Sequence, residues 1–391
     1  MSTEVATSLE LLTGGEAVAH AMRQIDPDVV PVYPITPQTP IIQTFAKFVS
    51  DGRASGELVD VESEHSAMSA AIGSALAGAR TMTATSSQGL ALMTEVVYIA
   101  SAMRAPIVVA LGNRALSGPI NIHCDHSDSM LIRDSGAIQL FVENAQEAYD
   151  ATLLAVRLAE HPDVLLPVFV CLDGFTITHS AEPVSLLPDD EVRLFVGDYR
   201  LPHPLLGGEP TTQGPFAMPD YYYELRYQQV AAMEAASGVL DALVDELAGF
   251  TGRRYEPLER YRLDDAARAL VLMGSTAGTA KDVVDDLRSR AHPVGLLRIG
   301  SFRPFRATEV RRALGRVADV AVLDRADSPG GAPPLFAEVA GSLHDERVRL
   351  RSVVYGLGGR DLHPEDIEEI FESLHDRGTR ETSYVGLRSA P

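Results

Sequence analysis

The chain has 391 residues, 46% hydrophobic and 22% charged, the make-up of a soluble globular protein long enough for two or three domains. Its 54 acidic residues against 33 basic ones give a formal charge of -21, which argues against nucleic acid or an anionic membrane as a partner for the surface as a whole. Two cysteines, Cys124 and Cys171, are too few for an iron–sulfur cluster held by four thiolates, so any such cluster belongs to another chain. The N-terminus has no basic start before an apolar run and no stretch reaches the length of a membrane span, so the expected location is cytoplasmic, with both thiols reduced.

Up to about residue 180, short apolar runs alternate with longer small-residue or amphipathic segments, as in a parallel sheet covered by helices. Strands are predicted at 29–32, 58–61, 81–85, 107–111 and 168–172, and helices near 15–24, 40–49, 64–77, 90–103 and 145–160. Each strand runs into a polar or glycine-bearing loop: "YPITPQTP", "ESEHS", "SSQG", "GNRALSGP" and "DGFTITH". In a doubly wound sheet, ligands gather outside the carboxyl ends of the strands, so these loops are the first place to look for function.

From about 183 to 257 the chain turns rich in Pro and Gly, then carries a tyrosine run and a helical pattern over 222–248. This segment is expected to be an ordered connector in which Phe216 and Tyr221, Tyr222 and Tyr223 pack rather than dangle. A second α/β unit follows, with strand, turn and helix at "RALVLMGSTAGTAKDVVDDLRSR" and a closing strand, glycine turn and helix at "LRSVVYGLGGRDLHPEDIEEIFESL".

Several motifs carry possible chemistry. "MGSTAGTAKD" lacks the GK[ST] ending and the GxGxxG spacing of phosphate loops and reads better as a small-residue turn capping a helix. "HCDHSD" has metal-ligand residue types, but they crowd into one short run, whereas zinc ligands come in separated pairs; a polar active-site loop is the better reading. "SPGGAPP" is a turn. Glu62 and Glu64 could simply be anionic residues favoured at a helix N-terminus behind a Ser63 cap. The helix that follows suggests more: Ala67, Ala70, Ala71, Ser74 and Gly78 leave no bulk on one face and so allow close approach of a backbone or a cofactor.

Taken together, "VYPITPQTP", "VESEHSAMSAAIGSALAGAR", "TATSSQGLALM", "MRAPIVVALGNRA", "PINIHCDHSDSM", "LLPVFVCLDGF", "PDYYYELRYQ" and "YGLGGRD" resemble the α subunit of 2-oxoacid:ferredoxin oxidoreductases of the pyruvate type. The resemblance implies a thiamine-diphosphate-binding pyrimidine module, a doubly wound parallel sheet, at 1–185. An ordered connector at 186–257 and a transketolase C-terminal-like α/β domain at 258–391 follow. It implies that Glu64 hydrogen-bonds N1' of the cofactor's aminopyrimidine, favouring the imino form that takes the thiazolium C2 proton. Tyr33, Pro34, Ile35, Ser87 and Gln88 fall at cofactor-binding positions, Thr36 and Arg114 face the substrate carboxylate, and His126 and Asp128 shape the site. Glu62 is supporting.

In that family the diphosphate and its Mg2+ are held by a β subunit through a GDG motif followed by Asn, which this sequence lacks. Partners implied are that β chain, γ and ferredoxin-like chains bearing 4Fe-4S clusters, ferredoxin as electron acceptor, and 2-oxoacid and CoA. The activity implied is oxidative decarboxylation of pyruvate to acetyl-CoA, possibly reversible. His123 and Cys124 stand where the family usually has an aromatic residue and then Asn or Gly, which leaves the 2-oxoacid open: 2-oxoisovalerate and 2-oxoglutarate are alternatives. A catalytically silent scaffold is a further alternative.

Overall fold

The computed structural model describes residues 7–207, 209–375 and 382–388. The first unit opens with β1 (Ser8–Thr13) and α1 (Gly14–Ile25), then alternates β2 (Val29–Val32), α2 (Thr39–Ser50), β3 (Glu57–Asp60), α3 (Glu64–Ala77), β4 (Thr81–Thr85), α4 (Ser87–Ala102) and β5 (Ile107–Asn113). A short α5 (Ser127–Leu131), β6 (Ile138–Phe141), α6 (Ala145–Glu160), β7 (Val168–Asp173) and β8 (Ala181–Leu186) complete it. After α7 (Asp189–Val196) and the 33-residue α8 (Pro219–Thr251) comes the second unit. It runs β9 (Leu258–Tyr261), β10 (Arg268–Leu272), α9 (Thr276–Ser289), β11 (Val294–Ile299), β12 (Ser301–Arg303), α10 (Ala307–Leu314), β13 (Asp319–Asp324), α11 (Pro334–Ser342), β14 (Arg349–Val354), α12 (Pro364–Ser373) and β15 (Ser383–Tyr384).

The first sheet has seven strands in the order β12-β6-β7-β5-β4-β2-β3, all parallel except β12. The second has six in the order β15-β14-β13-β10-β11-β9, with only β9 antiparallel. Strands β4, β5 and β7 are buried on both faces, which explains the apolar runs of β5 and β7, while β4 alternates Thr with Met and Ala. Local capping starts α1, α3 and α6: at α1, Thr13 Oγ1 accepts from Glu16 N while Glu16 Oε2 accepts from Thr13 N, a closed capping box.

The strand that enters the first sheet at its edge, β12, belongs by sequence to the second unit. One apolar core, running from Met68, Leu90, Val109 and Phe169 to Val271, Leu297, Phe302 and Leu335, likewise joins the two. The buried Arg298 of β11 donates to Phe141 O at 2.9 Å and to Glu147 Oε2 at 2.6 Å, and Lys281 Nζ lies 2.8 Å from Glu143, so charged groups also cross this seam in pairs.

Two expectations change. Residues around 183, expected to begin the connector, form β8, which pairs antiparallel with β1. The connector's aromatic residues do not pack: Phe216, before α8, is 92% exposed and Tyr223 79%, and α8 buries only a stripe from Gln229 to Leu247 that includes Ala236, Leu240 and Leu243, beyond the tyrosine run and against α6. The small-residue face of α3 turns inward as expected, with Ala67 and Ala71 in the core and Ala70, Ser74 and Gly78 half-buried.

Candidate active site

The parallel strands bring their carboxyl ends to one edge, where five loops converge. Following β3, Ser63 caps α3 by accepting from Ser66 N, which sets Glu64 in the first turn, buried at 6% exposure. Among the described residues, none donates a hydrogen bond to its carboxylate. Opposite stands Gly89 of α4, where a Cβ would lie 2.6 Å from Glu64 Oε1 and 2.5 Å from Thr85 Oγ1. Any side chain at 89 would fill the space that the Glu64 carboxylate occupies. Thr85 Oγ1 is itself buried without a partner. Glu62, by contrast, is exposed and accepts from Ser66 Oγ, a bond that holds its carboxyl below the usual range. The two glutamates that look alike in sequence therefore differ: one supports the helix start, and the other has its acceptors free.

The loop after β2 places Tyr33, Pro34 and Thr36 at the exposed rim and Ile35 half-buried, and Gln38 Nε2 ties it back through Tyr33 O at 3.0 Å. Past β5, the Arg114 guanidinium is buried at 7% exposure and oriented by two carbonyls, Nε donating to Asn121 O and Nη1 to Thr36 O, each at 3.0 Å. Its Nη2 has no partner among the described residues. A fixed guanidinium with one end free suits a carboxylate. Thr36 thus meets Arg114 through its carbonyl.

Asp128 is the bracket of these loops. Its Oδ1 accepts from Asn113 Nδ2 and Ser129 N, each at 2.8 Å, and its Oδ2 from Ser87 N at 3.0 Å and Arg114 N at 2.9 Å. Burial raises its pKa to about 6 despite the four donors. Ser87, at φ 44°, sits in a left-handed conformation that Asp128 and the bond from Ser87 Oγ to Ala115 O hold in place. Gln88 is half-buried beside it, its side-chain amide 2.6 Å from Ser87 Oγ.

His126 turns away from this group. Its Nε2 lies 2.7 Å from Asp173 Oδ1, at the end of β7, while Asp173 Oδ2 accepts from Arg325 Nη1 at 2.8 Å and from Ser275 Oγ at 2.6 Å. Burial opposes ionisation of Asp173, but its contacts with His126, Arg325 and Ser275 outweigh it and hold the carboxyl far below the usual carboxylate range. Cys124, His126 and Asp173 offer ligand-type atoms within 4.8 Å of one another. Arg325 already supplies the cation to this cluster and burial pushes the Cys124 thiol up, so it is built as an ion pair joining the two units.

Asp173, Arg325 and Asn121 were not singled out from sequence. A charged residue closing the apolar run "VFVCLD" was the available signal for Asp173; the partnership with Arg325 spans 152 positions and leaves no local pattern.

A model described as "Pyruvate flavodoxin/ferredoxin oxidoreductase, thiamine diP-bdg" matches residues 20–243, and one described as "Pyruvate:ferredoxin oxidoreductase core domain II" matches 266–367. Fold and site together define a thiamine-diphosphate-binding α/β protein. The chain is 54% identical over 382 residues to pyruvate synthase subunit PorA of Thermotoga maritima, covering 96% of this chain and 97% of that protein. It belongs to the pyruvate:ferredoxin oxidoreductase family.

Two solved structures share the fold. The 2-oxoglutarate:ferredoxin oxidoreductase from Magnetococcus marinus with 2-oxoglutarate, coenzyme A and succinyl-CoA bound superposes with a TM-score of 0.73 at 20% identity, over 94% of this chain and 65% of that one. A split gene transketolase, an inactive beta4 tetramer, does so with a TM-score of 0.56 at 13% identity, over 93% of this chain and 98% of that one.

Proposed function

We propose that the chain is the α-type subunit of a thiamine-diphosphate-dependent oxidoreductase that converts pyruvate, CoA and oxidised ferredoxin to acetyl-CoA, carbon dioxide and reduced ferredoxin. The observation that carries this reading is Glu64, a buried carboxylate with free acceptors, set against a glycine at the ligand edge of the sheet. These residues fit an aminopyrimidine ring: Glu64 would hold a proton at N1', a reading supported by its free, buried carboxylate, and the unpartnered Thr85 Oγ1 offers a second polar group facing Gly89. When bound, thiamine diphosphate supplies the acidic carbon that adds to the 2-oxo group and accommodates the electron pair left by carbon dioxide.

The protein's own residues perform the remaining tasks. Arg114, pre-oriented by the carbonyls of Asn121 and Thr36, receives the pyruvate carboxylate with its free end, and the uncharged product left after decarboxylation loses that attraction. Asp128 fixes Ser87 and Arg114 relative to each other. The sequence carries no GDG and Asn diphosphate motif, so the diphosphate, its Mg2+ and the 4Fe-4S clusters fall to β, γ and ferredoxin-like partner chains in the cytoplasm. Ile120 and Ile122, exposed on the loop that follows Arg114, support a partner surface there.

Reconstitution with the partner chains tests the proposal. Pyruvate-dependent ferredoxin reduction is expected, with kcat/KM falling at least about tenfold in Arg114→Lys, which keeps the charge but loses the planar fork, and with thiamine diphosphate affinity retained. A complex inactive toward every 2-oxoacid would instead favour a silent scaffold, and preference for a branched or dicarboxylic 2-oxoacid would reassign the substrate.

A further inference from the structure

The arginine that meets the substrate is held from the other unit. Arg114 Nε donates to Asn121 O, and Asn121 Nδ2 in turn donates across the interface to Gly358 O at 3.0 Å, 237 positions away. Asn121 Oδ1 accepts from His123 N at 2.7 Å, so both ends of the amide are committed. The turn it grips, residues 356–359, holds Gly356, Gly358 and Gly359 at φ of 66°, 62° and 79°, values that side chains disfavour.

The contact is closer than any side chain would permit. A Cβ on Gly358 would lie 2.4 Å from Asn121 Nδ2, and one on Gly359 would lie 2.4 Å from His123 Cβ. Gly359 N also donates to Cys124 O at 2.7 Å, and His123 O accepts from Ala115 N at 3.0 Å, which returns the loop to the residue after Arg114. The His123 ring packs on Phe175 at 4.9 Å between centroids, closing the other side of the loop.

We propose that Asn121 is a positioning residue for Arg114, and that the 356–359 glycine turn of the second unit sets the affinity for the substrate carboxylate by clamping it. The proposal rests on Arg114 being the carboxylate group. The second unit then acts on substrate binding in the first through Asn121, which fixes the carbonyl that fixes the guanidinium. A guanidinium free to swing still carries its charge, but it must be ordered each time a substrate binds. That penalty falls on ground state and transition state alike, so it appears in KM and leaves kcat in place.

The test uses the enzyme assembled with its partner chains. In Asn121→Ala, the KM for pyruvate and the calorimetric Kd for oxamate, an unreactive carboxylate of the same shape, should each rise on the order of tenfold, the worth of about one hydrogen bond. Turnover should stay within about twofold and thiamine diphosphate affinity should not change. Gly358→Ala, acting from the opposite unit, should give the same signature, and the double variant should be no worse than the single ones within about twofold, since all three break one contact. Hydrogen exchange of residues 114–126 should quicken in each.

Unchanged KM and Kd in both single variants, with Arg114→Lys still impaired, would overturn the positioning role and leave the Arg114 assignment standing. If Arg114→Lys also bound oxamate normally, the carboxylate assignment would fall and the proposal with it. A loss confined to kcat would overturn it as well.

Discussion

Replacing Asp173 by Asn removes one charge from the buried junction between the two units and changes little else in shape. Its carboxylate is 1% exposed and holds His126, Ser275 and the 8%-exposed Arg325. If the Asn oxygen takes the place of Oδ2, it can still receive the Arg325 and Ser275 donors, while its amide faces His126 Nε2. The His126 ring can accept there in the tautomer that carries its proton on Nδ1, an atom without a partner among the described residues. What remains is an uncompensated guanidinium in the interior, and stranding one partner of a buried pair costs about 3–5 kcal/mol. Guanidinium-chloride unfolding of the purified chain should show that loss as a lowered midpoint at similar slope. The double variant Asp173→Asn, Arg325→Met should recover much of it by removing the stranded charge. The pH dependence has a definite sign. The folded carboxyl lies far below its unfolded value of about 3.9, so its contribution is complete above that pH and lost progressively as pH falls below it. Asp173→Asn within about 1 kcal/mol of wild type, or a pair whose contribution grows on acidification, would refute this reasoning.

Gly89→Ala should retain the fold but push the Glu64 carboxylate aside, since the new Cβ would sit 2.6 Å from Oε1; calorimetry on the assembled enzyme should show weakened thiamine diphosphate binding and activity reduced by up to about 10²-fold. Cys124 and Cys171, whose thiols burial pushes well above the ordinary range, should resist iodoacetamide in the native chain near pH 8 and both react once it is unfolded, as mass spectrometry would register.

How far the sequence carried depends on how local each cause is. Helices α3 and α6 occupy 64–77 and 145–160 as predicted, because their caps Ser63 and Asn144 and their periodicities lie within the segments themselves. Strands β2 and β4 also match, bounded by loop residues on each side. In contrast, β6 was missed: its four residues "IQLF" are too short to separate from a loop, and what makes them a strand is pairing with β7 and with β12 of the other unit. Strand β8 was absorbed into the connector because its partner, β1, lies at the far end of the first unit.

The site divides in the same way. Glu64 and Ser87 head the helices after β3 and β4, Arg114 follows β5 and Asp128 lies in α5, all in segments where polar residues are conspicuous, and the structure gathers them at one edge. That Asp128 holds Ser87 and Arg114, or that Asn121 reaches Gly358, depends on distances between segments that no spacing encodes.

Glu64→Gln tests the central claim most directly, by exchange of the cofactor's thiazolium C2 proton for deuterium in the enzyme assembled with its partner chains. Gln keeps the shape and a hydrogen bond but cannot share the proton at N1', so exchange should slow on the order of 10²- to 10⁴-fold, while Glu62→Gln, altering only an exposed helix-terminal charge, should exchange at the wild-type rate. Exchange in Glu64→Gln within about twofold of wild type would contradict the account and leave Glu64 as a buried charge at the head of a helix.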